Sequence, residues 1–230
     1  MMTSPLLADV AVPRFGLFAA WSQRRASLIS GVGLVGMAVL MPAGYFGAIV
    51  PLVSAGNAEV TAHNIAASPL VYLAGLAAIV VVIVLDLIVA AAWYWLFRPV
   101  NPRLSAVAAS LRVAYTVLFA VAAAELALAF VVRDEPERTL EAIDAFSAIW
   151  LSSLGLLGVH LLVIGYLVIR ASFVSPIFGI LLIPAGIGYI LDAVGVMAGL
   201  DLPVTFGFFG FVGEVAIIGW LLVRGRTLPD

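Results

Sequence analysis

The chain of 230 residues is 64% hydrophobic and 10% charged, with 13 acidic residues against 11 basic ones. Soluble domains run at about 45–50% apolar and about 25% charged, so this composition excludes an ordinary water-soluble globule. Cysteine is absent, which excludes disulfides, thiolate metal sites and iron–sulfur clusters. All 11 basic residues are arginine, so no lysine Schiff base can form.

Residues 1–26 read as an N-terminal segment. Arg14 is its first basic residue, and no basic stretch precedes an apolar run as in a cleavable signal. Phe15, Leu17, Phe18 and Trp21, flanked by Arg14, Arg24 and Arg25, suit a short helix on a membrane surface as well as an irregular tail. Residues 27–230 are expected to form one all-α domain, a polytopic integral membrane bundle of six transmembrane helices. An apolar stretch of about 20 residues spans a bilayer, and six qualify, near 27–53, 69–97, 103–132, 143–169, 173–200 and 203–223.

Loop charge predicts the orientation. Arg14, Arg24, Arg25, Arg98, Arg103, Arg170, Arg224 and Arg226 fall on one side. The other carries Arg133 and Arg138 among Glu59, Asp134, Glu135, Glu137, Glu141 and Asp201. The positive-inside rule then places both termini in the cytoplasm and the chain in the cell membrane. Trp21, Trp93, Trp95 and Trp220 are expected to form an aromatic belt at the cytoplasmic boundary.

The connection Phe97-Arg98-Pro99-Val100-Asn101-Pro102-Arg103 reads as a tight turn joining the second and third spans. Residues 54–68 read as a polar external loop with His63 and Asn64, able to cover a vestibule. Asp134 and Glu137 are spaced as a capping box for the fourth span. Pro42 and Pro184 are expected to kink the first and fifth spans. Tyr94–Arg98, Tyr166–Arg170 and Trp220–Arg224 repeat an i, i+4 ring-and-guanidinium pair, read as three independent interfacial anchors, with three repeated hairpins as the alternative.

Ionisable groups inside spans are costly and carry the functional signal. Asp86 stands 12 residues before Arg98, while His160 and Glu214 each stand 10 before Arg170 and Arg224. At 1.5 Å per residue these three lie roughly 15–18 Å from the cytoplasmic face, and Arg112 lies about 13 Å deep. Asp86, Arg112, His160 and Glu214 thus form a polar midplane layer of ligand or proton candidates. Asp86 and Arg112 flank one hairpin and are expected to pair, and His160 with Glu214 is assigned to protonation or ligand polarity, with a satisfied core histidine as the plainer alternative for His160. Ser105, Arg112, Tyr115 and Thr116 form a stripe expected to face the bundle. Glu125, Tyr189 and Asp192 are candidates for an outer vestibule, with Gly195 and Gly199 read as a helix-packing pair.

Gly31-Val32-Gly33-Leu34-Val35-Gly36 matches G-x-G-x-x-G literally. Inside an apolar span, with no preceding strand, it reads as packing glycine rather than a dinucleotide site. Two histidines make no metal site, and no cofactor or nucleic-acid partner is expected.

Several segments form an ordered set: Thr61-Ala62-His63-Asn64-Ile65, Arg98-Pro99-Val100-Asn101, Arg112, and Gly158-Val159-His160-Leu161-Leu162 with Gly165-Tyr166-Leu167. Pro176, Gly179, Gly186-Ile187-Gly188-Tyr189, Gly213-Glu214 and Trp220 to Gly225 complete it. Taken together, these resemble a bacterial membrane-protein family catalogued as domain of unknown function 4386. Asn57 stands where such proteins often carry Asp, and Ile177 where a basic residue is common. The resemblance implies six transmembrane helices and supplies no activity.

These features favour a non-enzymatic protein that binds or transports a small amphipathic or lipid-like solute, with proton linkage through the midplane layer. Membrane lipids are the expected partners, and homo-oligomerisation stays open. Two alternatives remain. One is a membrane-embedded enzyme acting on a lipid or isoprenoid, with Glu214 or Asp192 as general base. The other is a scaffold or regulatory subunit.

Overall fold

The computed structural model describes residues 21–200 and 205–230, and within them every regular element is helical. The expected interfacial segment carrying Phe15, Leu17 and Phe18 lies outside the described residues, as does Asp201. Helix α1 covers Gln23–Met41 and runs on through a π-helical stretch, Pro42–Ile49, into a 3-10 turn, Val50–Leu52. After it come α2 (Ala58–Ala67), α3 (Pro69–Phe97), α4 (Pro102–Val131), α5 (Pro136–Arg170), α6 (Pro176–Met197) and α7 (Gly207–Val223). Five rods are long and apolar enough to cross a membrane: Gln23–Leu52, α3, α4, α5 and α6. Helix α7 has 17 residues.

Proline punctuates the chain. Pro69, Pro102, Pro136 and Pro176 each open a helix, where the missing N–H costs nothing and the fixed φ suits the first turn. Pro42 sits inside a rod instead, and its missing donor is absorbed by the widened π-helical turn. Pro184 is held within α6 without ending it.

Neighbours in sequence pack as neighbours in space, in the order α1, α3, α4, α5, α6, α7, and α7 returns to α1 to close the ring. Arg24 meets Asp230 at 3.1 Å, and Gln23 Nε2 donates to the Leu96 carbonyl at 3.2 Å. The start of α1, the end of α3 and the C-terminal tail therefore share one end, rich in arginine.

The seam between α5 and α6 shows why glycine is needed there. A Cβ on Gly186 would stand 2.6 Å from the Gly158 carbonyl oxygen, and one on Gly165 3.0 Å from that of Gly179. Two glycine pairs two turns apart thus bring antiparallel backbones into direct contact, the usual device where apolar burial gives no drive for helix association. The glycines of the G-x-G-x-x-G match instead make room on α1 for side chains of neighbouring helices. Gly31 packs on Leu222 of α7, and Gly33 on Val89 of α3.

Outward faces are apolar. Leu70 is 80% exposed, and Val39, Val84, Val117, Ile180 and Val212 also point away from the bundle. Inside lie Asp86, Arg112, Thr116, Ser153 and His160. Apolar outside with polar inside inverts the soluble arrangement and gives the described helices the surface of a multi-pass membrane protein.

Several expectations are corrected. Residues 54–68 are not an open loop, because α2 forms within them. Asn57 Oδ1 caps α2 by accepting from Val60 N at 3.1 Å, and Asn caps as well as the Asp seen in similar proteins. Thr61 Oγ1 accepts from Ser54 N, and Asn64 Nδ2 donates to the Leu52 carbonyl, so the segment is tied down. The Asp134–Glu137 capping box does not form. Glu135 occupies the cap position without a capping bond, its carboxylate held instead by Arg138 at 2.7 and 2.8 Å. Helix α5 starts at Pro136, close to where the capping box was expected, and extends beyond the apolar span near 143–169.

Gly199 is a terminator, not a packing glycine. At φ 65° it ends α6, with Leu200 N donating to the Gly195 carbonyl, the 6→1 bond of a Schellman motif. Trp93 and Trp220 are core residues, against the expectation that they join a lipid-facing belt. Trp220 packs on Phe173 and Phe178, so its pairing with Arg224 is not the interfacial anchor that Tyr94 and Arg98 resemble.

Candidate functional site

Two apolar clusters fill the bundle. One, toward the arginine-rich end, is built on Val89, Trp93, Phe97, Leu161 and Leu167. The other holds Ile79, Val82, Tyr115, Phe119 and Phe146. Asp86 lies between Val82 and Val89 on α3, and Arg112 between Ala108 and Tyr115 on α4. A polar layer therefore separates two apolar halves.

Asp86 is 0% exposed, His160 0% and Arg112 3%, so none can draw on solvent for its hydrogen bonds. Arg112 is the hub. Its Nη2 and Nε lie 2.6 and 2.7 Å from Asp86 Oδ1. Nη1 faces His160 Nε2 at 3.4 Å, and Nη2 also lies 3.9 Å from the Met37 sulfur. One side chain on α4 thus touches α1, α3 and α5.

His160 docks on a single turn of α4. Its Nδ1 lies 2.8 Å from the Ala108 carbonyl oxygen. A carbonyl only accepts, so Nδ1 carries the hydrogen, and Nε2 turns its lone pair toward the guanidinium. Ala108 is small enough to admit the ring, and Trp93 closes over it edge-on at 6.0 Å between centroids. Thr116 Oγ1 donates to the Arg112 carbonyl at 2.8 Å. Ser105, Arg112, Tyr115 and Thr116 are all buried, so the polar stripe of α4 faces inward as its spacing predicts.

The guanidinium leaves the site incomplete. Both of its short bonds converge on Oδ1 instead of forking across the carboxylate, so among the described residues Asp86 Oδ2 has no partner. Trp93 Nε1, buried seven residues further along α3, also has none. An unpaired acceptor and an unpaired donor thus lie on one face of α3, two turns apart. Sequence reading missed Met37, Ala108 and Trp93. The first two carry no polar side-chain signal, and Trp93 was assigned to the interface by its nearness to Arg98.

Glu214 does not join His160. Its Oε1 accepts from Tyr189 Oη at 2.8 Å, a bond between α6 and α7. His160 and Glu214 are not hydrogen-bonded to each other, since both nitrogens of His160 are engaged on α4. Tyr189, one of the outer-vestibule candidates, is thus tied to Glu214. Asp192 accepts at both oxygens, from Phe206 N at 2.8 Å and Gly207 N at 2.7 Å. A carboxylate against free N–H groups at a helix start is a favourable cap, so Asp192 clamps the beginning of α7. Glu125 stands apart, half-buried on α4 and outside the salt bridges of the described residues. Among those residues no cluster of three metal-ligating side chains occurs.

Comparison with known proteins gives the chain a family and no activity. Over 152 residues it is 30% identical to a protein of Archaeoglobus fulgidus described as an uncharacterized protein, covering 66% of this chain and 84% of that one. No solved structure matches. Residues 29–225 match the family described as Domain of unknown function (DUF4386). That match takes in every helix of the ring and the whole polar layer, and the chain belongs to this family.

Proposed function

We propose that this protein binds a small amphipathic or lipid-like solute at the polar layer and carries it across or within the membrane, with proton linkage. The observation that carries this reading is the pair of unpartnered groups, Asp86 Oδ2 and Trp93 Nε1, beside the Arg112–His160 contact in an otherwise apolar bundle. A purely structural lock would use both carboxylate oxygens, because an unmet buried polar atom costs about 1–3 kcal/mol. A solute with a hydroxyl or amide would supply the missing donor and acceptor, while its apolar part rests on the adjoining clusters.

The topology belongs to the same proposal. Helix α7, at 17 residues, lies at the short end of the spanning range and makes a sixth span. The arginine-rich end then faces the cytoplasm and both termini with it, in the cell membrane. Residues 1–26 would be a cytoplasmic segment preceding one domain, 27–230.

The test combines two measurements. Native mass spectrometry of the detergent-purified protein is expected to find a bound amphipathic or lipid-like solute carrying a hydroxyl or amide, which Asp86→Asn and Trp93→Phe both lose. In liposomes loaded with a pH-sensitive dye, His160→Ala and Glu214→Gln are expected to cut proton movement after a pH step severalfold. Unchanged flux in both variants removes the proton linkage, and an unchanged adduct in the first pair removes the binding site.

A further inference from the structure

A second site lies at the arginine-rich end, far from the polar layer and independent of it. A cavity of about 440 Å³ opens there between the start of α1, the α3–α4 turn and the α5–α6 turn. That volume falls in the range of small-molecule sites, about 300–1,000 Å³. Its polar lining is Gln23, Asn101, Tyr166, Arg170 and Ser172, and no carboxylate is among the residues that line it.

Apart from Gln23, whose Nε2 is spent on the Leu96 carbonyl, this lining mainly offers donors. Asn101 Oδ1 already accepts from Arg103 N and Leu104 N, at 3.1 and 3.0 Å, which leaves its amide hydrogens for the cavity. Among the described residues the salt bridges are Arg24–Asp230, Arg112–Asp86 and Arg138–Glu135, so Arg170 has no carboxylate partner among them. Ser172 and Tyr166 add hydroxyls, while Phe173 and Leu167 form an apolar wall. A neighbouring cavity of about 430 Å³ shares Gln23 and Pro99 and brings in Trp21, Trp95 and Arg98. Arg98 stacks on Trp95 at 4.9 Å.

Indole rings and arginines together mark the depth at which lipid headgroups lie. Guanidinium is the side chain suited to phosphate, and basic pockets between transmembrane helices take anionic headgroups. We propose that this cavity binds the phosphate of an anionic phospholipid headgroup, with Arg170 on the phosphate and Asn101 and Ser172 donating to its oxygens. The lipid's glycerol end rests on Phe173 and Leu167, and its chains leave along the outer faces of the helices.

The full-length protein in detergent, titrated with phosphatidylglycerol or phosphatidylcholine and read by native mass spectrometry, tests this without a variant. Phosphatidylglycerol is expected to be retained at least tenfold more strongly. Arg170→Gln is expected to remove that preference, and Arg226→Gln, at the same end but outside both cavities, to keep it. Equal retention of the two lipids overturns the proposal, as does equal loss in both variants, which would mean only diffuse charge attraction. Displacement of the lipid by millimolar inorganic phosphate would overturn the lipid as the natural ligand in favour of a free anion.

Discussion

Asp86 and Asp192 are both buried carboxylates on apolar helices, and the protein satisfies them in opposite ways. Asp192 gives each oxygen its own backbone N–H at the start of α7. Asp86 concentrates two arginine nitrogens on one oxygen and leaves the other bare. The first arrangement is complete and holds two helices together. The second has spare capacity at the centre of the bundle, beside a histidine and an unpaired indole N–H. A buried acid alone therefore does not mark a site; what matters is whether its hydrogen bonding is finished.

The largest effect should come from breaking the Asp86 side. Arg112→Ala leaves a buried carboxylate without its counter-charge, and a loss of about 3–5 kcal/mol is expected. Thermal melting in detergent micelles, followed by size-exclusion chromatography, reads it directly. The double variant Asp86→Leu with Arg112→Met should recover most of that loss. If it does not, the network's value lies in Arg112's other contacts with Met37 and His160.

Asp192→Ala should cost less, about 1–2 kcal/mol, because it removes a cap rather than stranding a charge. Hydrogen exchange is expected to quicken at the start of α7 and to leave α3 and α4 unchanged. Faster exchange at α3 would mean that Asp192 also supports the central layer, erasing the contrast. The smallest effect is expected from Tyr189→Phe, which removes the Glu214 bond and should cost about 1 kcal/mol. A loss as large as that of Arg112→Ala would place Glu214 within the same network.

Legibility differed between these regions for a geometric reason. Axial rise converts sequence position into depth, so the layer holding Asp86, Arg112 and His160 could be read from distances to the terminal arginines. The Asp86–Arg112 contact could also be anticipated, because the short turn after Phe97 makes α3 and α4 neighbours and aligns their depths. Rotation about each helix axis has no such reference between distant helices. His160 and Glu214 share a depth, yet one turns to α4 and the other to Tyr189. The fate of Asp192 was hidden because its partners are backbone N–H groups of Phe206 and Gly207, which no side-chain pattern announces.

Composition and hydropathy by themselves determined the helical class, five long apolar helices and the shared depth of Asp86, Arg112 and His160, since a bilayer's thickness and its low polarity act on every residue alike. Tertiary structure alone decided which of those groups meet. It placed Trp93 in the core, made Gly199 a helix end, set the glycine seam of α5 and α6, and left one oxygen of Asp86 open. Those outcomes depend on how helices rotate and approach one another, and close packing settles that through contacts far apart in the chain.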